Sequence, residues 1–247
     1  MKPITLLLVE GALDRIFYEG YIVKALGGKE VGGPEALPEA LKNVLLASRV
    51  VKSIGIKVFE LYDGLIVLAG CGGFDNSRTM LRELLKRRDE LVHGGLRKIV
   101  LVGDADKDVK GSVQGTVSSI LRRRCEWHGP FIRVEAEGGV LCVAGVAQGL
   151  SGRGKTGQLE DLIEDLAMKA HAQLKCVIEA MEEAWEKRLN SKQRVAVFAA
   201  LLAEDQSKAR LTAELWARAG DREIEQLRRM VRELEDVLRS NRRFDQP

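Results

Sequence analysis

"KIVLVGDAD", residues 98 to 106, decides how this chain is read. Ile99 to Val102 form an unbroken aliphatic run, too short for a helix and without the polar alternation of a half-exposed strand. Such a run reads as a strand, central in a mainly parallel α/β sheet. It stops at Gly103 and delivers two aspartates, Asp104 and Asp106, just past its end.

The same grammar opens the chain. "ITLLLVEG" (4–11) is an aliphatic run ending in Glu10-Gly11, and "ALDRIFYEGYIVKAL" (12–26) follows with Ile16, Phe17, Tyr21, Ile22 and Leu26 at helical spacing. Residues 34–51, "PEALPEALKNVLLASRVV", predict one helix. "IKVFELYDGLIVLAGCGG" (56–73) predicts extended chain turned at Asp63-Gly64. A helix carrying Leu81, Leu84, Leu85 and Leu91, a helix through "SVQGTVSSILRRR" (112–124), and extended pieces at "FIRVEAE" and "GVLCVAGV" complete this part. Strands alternating with helices predict an α/β fold, Rossmann-like, with a mainly parallel sheet. From Gln158 onward the periodicity is helical throughout, so the expected division is an α/β domain over 1–157 and an all-helical region over 158–247. In the last segment Ile224, Leu227, Val231, Leu234 and Leu238 make a heptad seam of about two repeats. That is short of the three or four repeats usual for a coiled coil, so the seam packs onto its own chain or joins a second copy.

Composition narrows the class without naming a partner. With 45% hydrophobic and 30% charged residues the chain is neither disordered nor fibrous, and a net charge of +3 does not announce a polyanion. The Ile4–Val9 run is shorter than a signal-peptide core, and the longest uncharged stretch, Gly138 to Gly152, is too short to span a bilayer. A cytoplasmic protein with no membrane partner is the expectation. Cys71, Cys125, Cys142 and Cys176 form no C-x-x-C pair, and His93, His128 and His171 have no i, i+4 partner. Zinc is therefore not expected, and the cysteines read as reduced, mostly buried thiols.

Chemistry concentrates at the strand ends, where functional groups gather in open parallel sheets. Asp104 and Asp106, at i and i+2 in extended chain, point to one side, and two such charges crowd unless a cation lies between them. Hard oxygen ligands suit Mg²⁺ or Mn²⁺. Asp108 continues the series, but an EF-hand is excluded, because its obligatory Gly would fall at Val109 and its final Glu at Gly115. A competing signal is "GLSGRGKT" (149–156), which has P-loop spacing from Gly149 to Gly154-Lys155-Thr156. A P-loop fold needs later strands and an acidic Mg²⁺ ligand, whereas the remaining residues read as helix.

The residues with the strongest pattern resemble a known family. Val9-Glu10-Gly11 after the first strand, Asp14 in the next helix, and Asp104-Ala105-Asp106 after a central strand are similar to the Toprim domain. That domain is shared by topoisomerases, bacterial-type primases, overcoming-lysogenization-defect nucleases and small maturation ribonucleases. The chain also resembles a group of prokaryotic Toprim-like proteins in which three motifs follow one another. Here these are Gly72-Gly73-Phe74-Asp75-Asn76, Asp104-Ala105-Asp106, and Gly157-Gln158-Leu159-Glu160-Asp161-Leu162. The likeness runs from residue 4 to about 166 and makes "GRGKTG" the loop into that last helix. It implies Glu10 as general acid/base or metal ligand and Asp104 and Asp106 as catalytic Mg²⁺ ligands, with Asp108, Glu160 and Asp161 as further metal candidates. Gly72, Gly73, Arg153 and Lys155 become the candidate phosphate and substrate contacts. Glu160 and Asp161 also suit the first turn of a helix on simple dipole grounds.

Tyr18, Tyr21 and Tyr62 all lie inside the Toprim-like region, so no separate domain offers a DNA-attacking tyrosine, and no zinc ribbon points to a primase. The expectation is a Mg²⁺- or Mn²⁺-dependent nuclease acting on DNA or RNA, with a possible homo-oligomer through the C-terminal helices. A non-catalytic Toprim scaffold is the alternative, and a P-loop-type NTPase comes third.

Overall fold

The structure, a computed structural model, describes residues 2–148 and 158–240. In chain order it comprises strand β1 (Ile4–Val9), helix α1 (Ala12–Gly20) running into a π-helical turn (Tyr21–Ala25), strand β2 (Lys29–Gly32) and a 3₁₀ turn (Pro34–Ala36). Helices α2 (Glu39–Ala47) and α3 (Arg49–Ile54) lead to strands β3 (Ile56–Leu61) and β4 (Gly64–Gly70). Then come α4 (Phe74–Lys86), α5 (Arg88–His93), β5 (Leu96–Asp104), α6 (Val109–Leu121), β6 (Ile132–Ala136) and β7 (Gly139–Gln148). The rest is helical: α7 (Leu159–Ala170), α8 (Leu174–Ala184), α9 (Ser191–Leu202), α10 (Lys208–Arg218), α11 (Asp221–Met230) and α12 (Arg232–Arg239).

The α/β fold with a helical C-terminal region is as the sequence predicts. One seven-stranded mixed sheet has the order β2-β3-β4-β1-β5-β7-β6. Its centre is parallel, with Leu7 of β1 opposite Leu68 of β4 on one side and Val100 of β5 on the other. β2 and β3 continue antiparallel beyond β4, and β6 pairs antiparallel with β7. β1 and the middle of β5 are buried on both faces, which is why their sequences carry no alternation. On one face Leu6, Leu8, Ile99 and Leu101 join the side chains of α2, α4 and α6 in a single core.

The chain forms two compact units. The sheet unit holds the chain to Gly103, then Lys107–Ala147, and finally α12; the helical unit holds Asp104–Asp106 and Gln148–Val231. Within the helical unit α7 packs against α9, α10, α8 and α11. Two of its helices, α9 and α10, start on side-chain caps: Asn190 accepts from the Gln193 N–H and Ser207 from the Arg210 N–H.

Several boundaries differ from the periodicity. The single helix predicted over 34–51 is broken twice. Pro38 forces Leu37 into an extended conformation (φ −97°, ψ 150°), and Ser48 leaves the helix to cap α3 at the Val51 N–H. The hairpin turns at Tyr62-Asp63, with Tyr62 at φ 53°, while Gly64 already belongs to β4. A Cβ on Gly64 would lie 2.7 Å from the Pro3 carbonyl oxygen, so glycine serves close packing there. The heptad seam is not one helix, because the chain turns at Val231 between α11 and α12. Leu227, Val231, Leu234 and Leu238 are all buried within the chain. Cys71, Cys125 and Cys142 are buried thiols, but Cys176 is exposed.

Three glycines give opposite expectations. Gly72 sits at φ +77° with a Val50 methyl 2.2 Å from where its Cβ would be, whereas Gly129, at φ +62°, has open space around it. Gly72→Ala should cost about 2–3 kcal/mol from left-handed backbone plus overpacking, and Gly129→Ala about 1 kcal/mol from backbone alone. Gly115, in the exposed middle of α6 with nothing near its Cβ position, should gain about 0.5–1 kcal/mol on conversion to alanine. Urea midpoints of the three variants check the order and the change of sign.

Candidate functional site

Of the residues singled out by sequence, Glu10, Gly72, Gly73, Asp104 and Asp106 fall at or just past the carboxyl ends of strands, Asp108, Glu160 and Asp161 at helix starts, and each unit carries its own set. In the sheet unit, Glu10 follows β1 directly, with its side chain only 14% exposed. Its carboxylate accepts from the Lys107 ammonium through both oxygens, at 2.9 Å to Oε1 and 2.7 Å to Oε2. The same ammonium lies 5.2 Å from the centre of the Phe74 ring. One cation thus meets a carboxylate and the face of an aromatic ring, both of which favour positive charge.

The glycine-rich turn builds the floor beneath Glu10. The Cys71 N–H donates to the Val9 carbonyl (2.9 Å) and the Gly73 N–H to the Glu10 carbonyl (2.6 Å), tying the end of β4 to the end of β1. Gly72 and Gly73 adopt φ of +77° and +122°, and the Gly73 carbonyl accepts from both the N–H and the hydroxyl of Ser77 at the start of α4. Asn76 donates to the Gly72 carbonyl. This turn presents Phe74 to Lys107. Asp14 is a helix cap, accepting from the Gly11 N–H at 3.0 Å. Asp108 is the cap of α6, accepting from the Gly111 N–H at 2.9 Å.

In the helical unit, Asp104 and Asp106 turn their side chains toward the same place, the first turn of α7. Oδ1 of Asp104 accepts from the Leu159 N–H and from the Gln148 side-chain amide, each at 3.1 Å. Asp106, exposed, meets the Gln158 amide at 3.4 Å. The Ala105 N–H donates to the Gln148 carbonyl, which fixes the backbone between the two acids. A helix N-terminus carries partial positive charge and unpaired N–H groups, so it suits a carboxylate.

Glu160 and Asp161, also on that first turn, lead inward. Asp161 is fully buried, accepting from the Gln158 N–H through Oδ2 and from the Ser191 hydroxyl through Oδ1. Glu160 pairs with Lys208 of α10 at 3.3 Å. Both tie α7 to its neighbours, α9 and α10. Behind them Arg194 bridges Glu164 and Glu182 at 2.8 Å each. Arg153, Lys155 and the whole P-loop-like stretch from Gly149 to Gly157 lie outside the described residues.

Among the described residues no three His, Cys, Asp or Glu side chains converge as a metal-binding group. An all-protein cage is thus not what these residues build. The Asp104/Asp106 pair does fit a different mode, in which Mg²⁺ keeps most of its waters and is held by one or two carboxylates plus substrate phosphate.

Lys107, Phe74, Gln148 and Gln158 received no role from sequence. A lysine between two aspartates, Asp106 and Asp108, reads as solvated charge. Gln148 carried a usable signal, since a polar residue closing a nine-residue apolar strand and 2% exposed must have a partner.

No family model matches this chain, and no curated protein matches it. Among solved structures it is similar to the crystal structure of the hypothetical protein PH0156 from Pyrococcus horikoshii OT3, with a TM-score of 0.70. The likeness covers 96% of this chain and 98% of that one at 19% identity. At that identity the fold is shared.

The Glu10–Lys107 pair is part-buried and doubly bonded, so breaking one partner leaves a charge short of solvent. Lys107→Met and Glu10→Gln should each destabilise by about 1 kcal/mol, and the double variant by less than the sum. Denaturant melts of the four proteins form the cycle, and strict additivity would show the pair to be idle.

Proposed function

We propose that this protein is a Mg²⁺- or Mn²⁺-dependent phosphodiesterase acting on nucleic acid, of the Toprim kind, working in the cytoplasm. The observation that carries the reading is the convergence of Asp104 and Asp106 on the first turn of α7 from the carboxyl end of a doubly buried strand. Two carboxylates two residues apart, one pinned and one exposed, are a donor set for a hydrated divalent ion rather than a structural ion pair. Asp104 and Asp106 are the residues that would hold it, and the bound ion would supply Lewis-acid polarisation of a phosphoryl oxygen.

The chain's own contribution is positioning and charge. Gln148 and the Leu159 N–H fix the rotamer of Asp104, so one of its oxygens is oriented before any ligand arrives. Lys107, held over Phe74, is the cation that a phosphodiester would share with Glu10. Glu10 is assigned the acid/base role that the resemblance implies for it. Arg153 and Lys155 stand as proposed phosphate contacts. No helix among the described residues is long and apolar enough to cross a membrane, and all four cysteines are thiols, which suits a reducing compartment.

A second reading has its own support. Each carboxylate singled out already has a partner in the fold: Lys107 for Glu10, the α7 N-terminus for Asp104, the Gly111 N–H for Asp108. These are the contacts of a scaffold that keeps Toprim architecture without turnover.

Calorimetric titration of Mn²⁺ into the purified chain, paired with cleavage of labelled single- and double-stranded DNA and RNA, separates the readings. Asp104→Asn and Asp106→Asn should abolish Mn²⁺ binding and lower cleavage about 100-fold or more, with melting temperatures near wild type. Mn²⁺ binding that needs ATP and Lys155 would establish an NTPase. Absence of both binding and cleavage in the wild type would establish the scaffold.

A further inference from the structure

At the opposite end of β5 from the aspartates stands Lys98, a lysine 2% exposed in the middle of a protein face. By strand alternation it shares that face with Val100 and Val102. Its ammonium donates to the Val237 carbonyl (2.8 Å), to the Leu238 carbonyl (3.4 Å) and to the Ser240 hydroxyl (3.2 Å), and lies 5.2 Å from the centre of the Phe131 ring. The carbonyls are the last ones of α12, which an α-helix leaves without partners of its own. Lys98 is therefore the C-terminal cap of the chain's last described helix, supplied from a strand about 140 residues earlier in sequence.

What is missing around this ammonium matters as much. Among the described residues its partners are two carbonyls, a hydroxyl and a ring, and no carboxylate is bonded to it. The titratable group facing it is the buried Cys142 thiol of β7, which in turn faces Arg133 of β6. The three acids of α12 are engaged elsewhere: Glu235 with Arg239 and the Tyr21 hydroxyl, Glu233 with Lys110, and Asp236 with Arg232. A buried charge with only neutral partners loses hydration that nothing fully returns. A neutral amine keeps two N–H donors for the same acceptors and loses nothing by burial of charge.

We propose that Lys98 is a proton-linked latch for the C-terminal helix: α12 docks more tightly when Lys98 releases its proton and loosens when the proton returns. Burial pulls the Lys98 pKa from 10.5 down to about 8. The undocked chain exposes Lys98 and binds its proton at the ordinary value. Between about 8 and 10.5 the undocked state thus holds more protons than the docked one, so docking strengthens with rising pH across that window and is flat below it. An ion-paired lysine would show the reverse, weakening as pH rises through its pKa.

The test is pulsed hydrogen exchange on the full chain from pH 7 to 10. Protection factors are corrected for intrinsic rates and read at the α12 amides, with the β1 amides as control. In the wild type, α12 protection should be nearly constant around pH 7 and rise by up to about tenfold per pH unit near pH 9, while β1 protection does not follow it. Lys98→Met, which keeps the length and removes the charge, should erase the slope. A flat or falling wild-type profile, a slope that survives in Lys98→Met, or an equal rise at β1 would each overturn the latch. If Lys98→Met fails to fold, ¹³C-lysine NMR of the wild type decides. A Lys98 midpoint near 8 supports the proposal, and one near 10.5 refutes it.

Discussion

Burial of β5 on both faces is the constraint on which the rest of the molecule depends. Ile99, Val100, Leu101 and Val102 are fully buried, which a parallel strand achieves only with a neighbour on each side and a layer above and below. β1 supplies one neighbour and β7 the other. A strand in that position can carry polar groups only where partners meet them, as the last turn of α12 does for Lys98 and the first turn of α7 for Asp104. Their shared face follows from alternation, since residues 98, 100, 102 and 104 point the same way.

That argument also accounts for the chain's route. A sheet face that is to bury Val100 and Val102 needs a cover, and part of it arrives from the far end of the sequence, in α12. Leu234, Val237 and Leu238 are each at most 3% exposed, so this short helix, which follows the helical unit in the chain, is a piece of the sheet unit's core. Eight residues are too few to persist as an isolated helix. Packing and the Lys98 cap hold it.

How much of this could be read beforehand depends on where the information resides. The strands β1, β4 and β5 were legible because double burial writes itself as unbroken aliphatic sequence. β2 was not, since an exposed edge strand of sequence KEVG has no pattern to show. Helix breaks at Ser48 and Val231 escaped for another reason: amphipathic spacing persists across a break when both pieces bury one side. The residues 224–238 therefore looked like one seam although α11 and α12 belong to different units. At the candidate site the aspartates were visible as a strand-end motif. Their partners were not, because Gln148 and the Leu159 N–H belong to segments whose proximity only the fold creates. The masking of Glu10 by Lys107 has the same origin, the two being 97 positions apart in sequence.

Two lysines near the ends of β5 meet the same physical problem with different solutions. Lys107 lies beside Glu10 and the Phe74 ring, so its positive charge is matched by a carboxylate and is the form the site favours. Removing a proton there would strand the carboxylate. Lys98 has helix-end carbonyls, a hydroxyl and a ring, which favour the cation without the formal charge of a carboxylate and accept N–H bonds from the neutral amine as well. Its charge is tolerated rather than required, and the energy of holding it changes with pH. A lysine paired with an acid fixes a charge in place, whereas a lysine buried among neutral acceptors makes the charge negotiable. The difference lies in both the partner and the depth of burial: Lys98 is the more buried of the two and faces no bonded acid among the described residues, whereas Lys107 is part-exposed and meets Glu10.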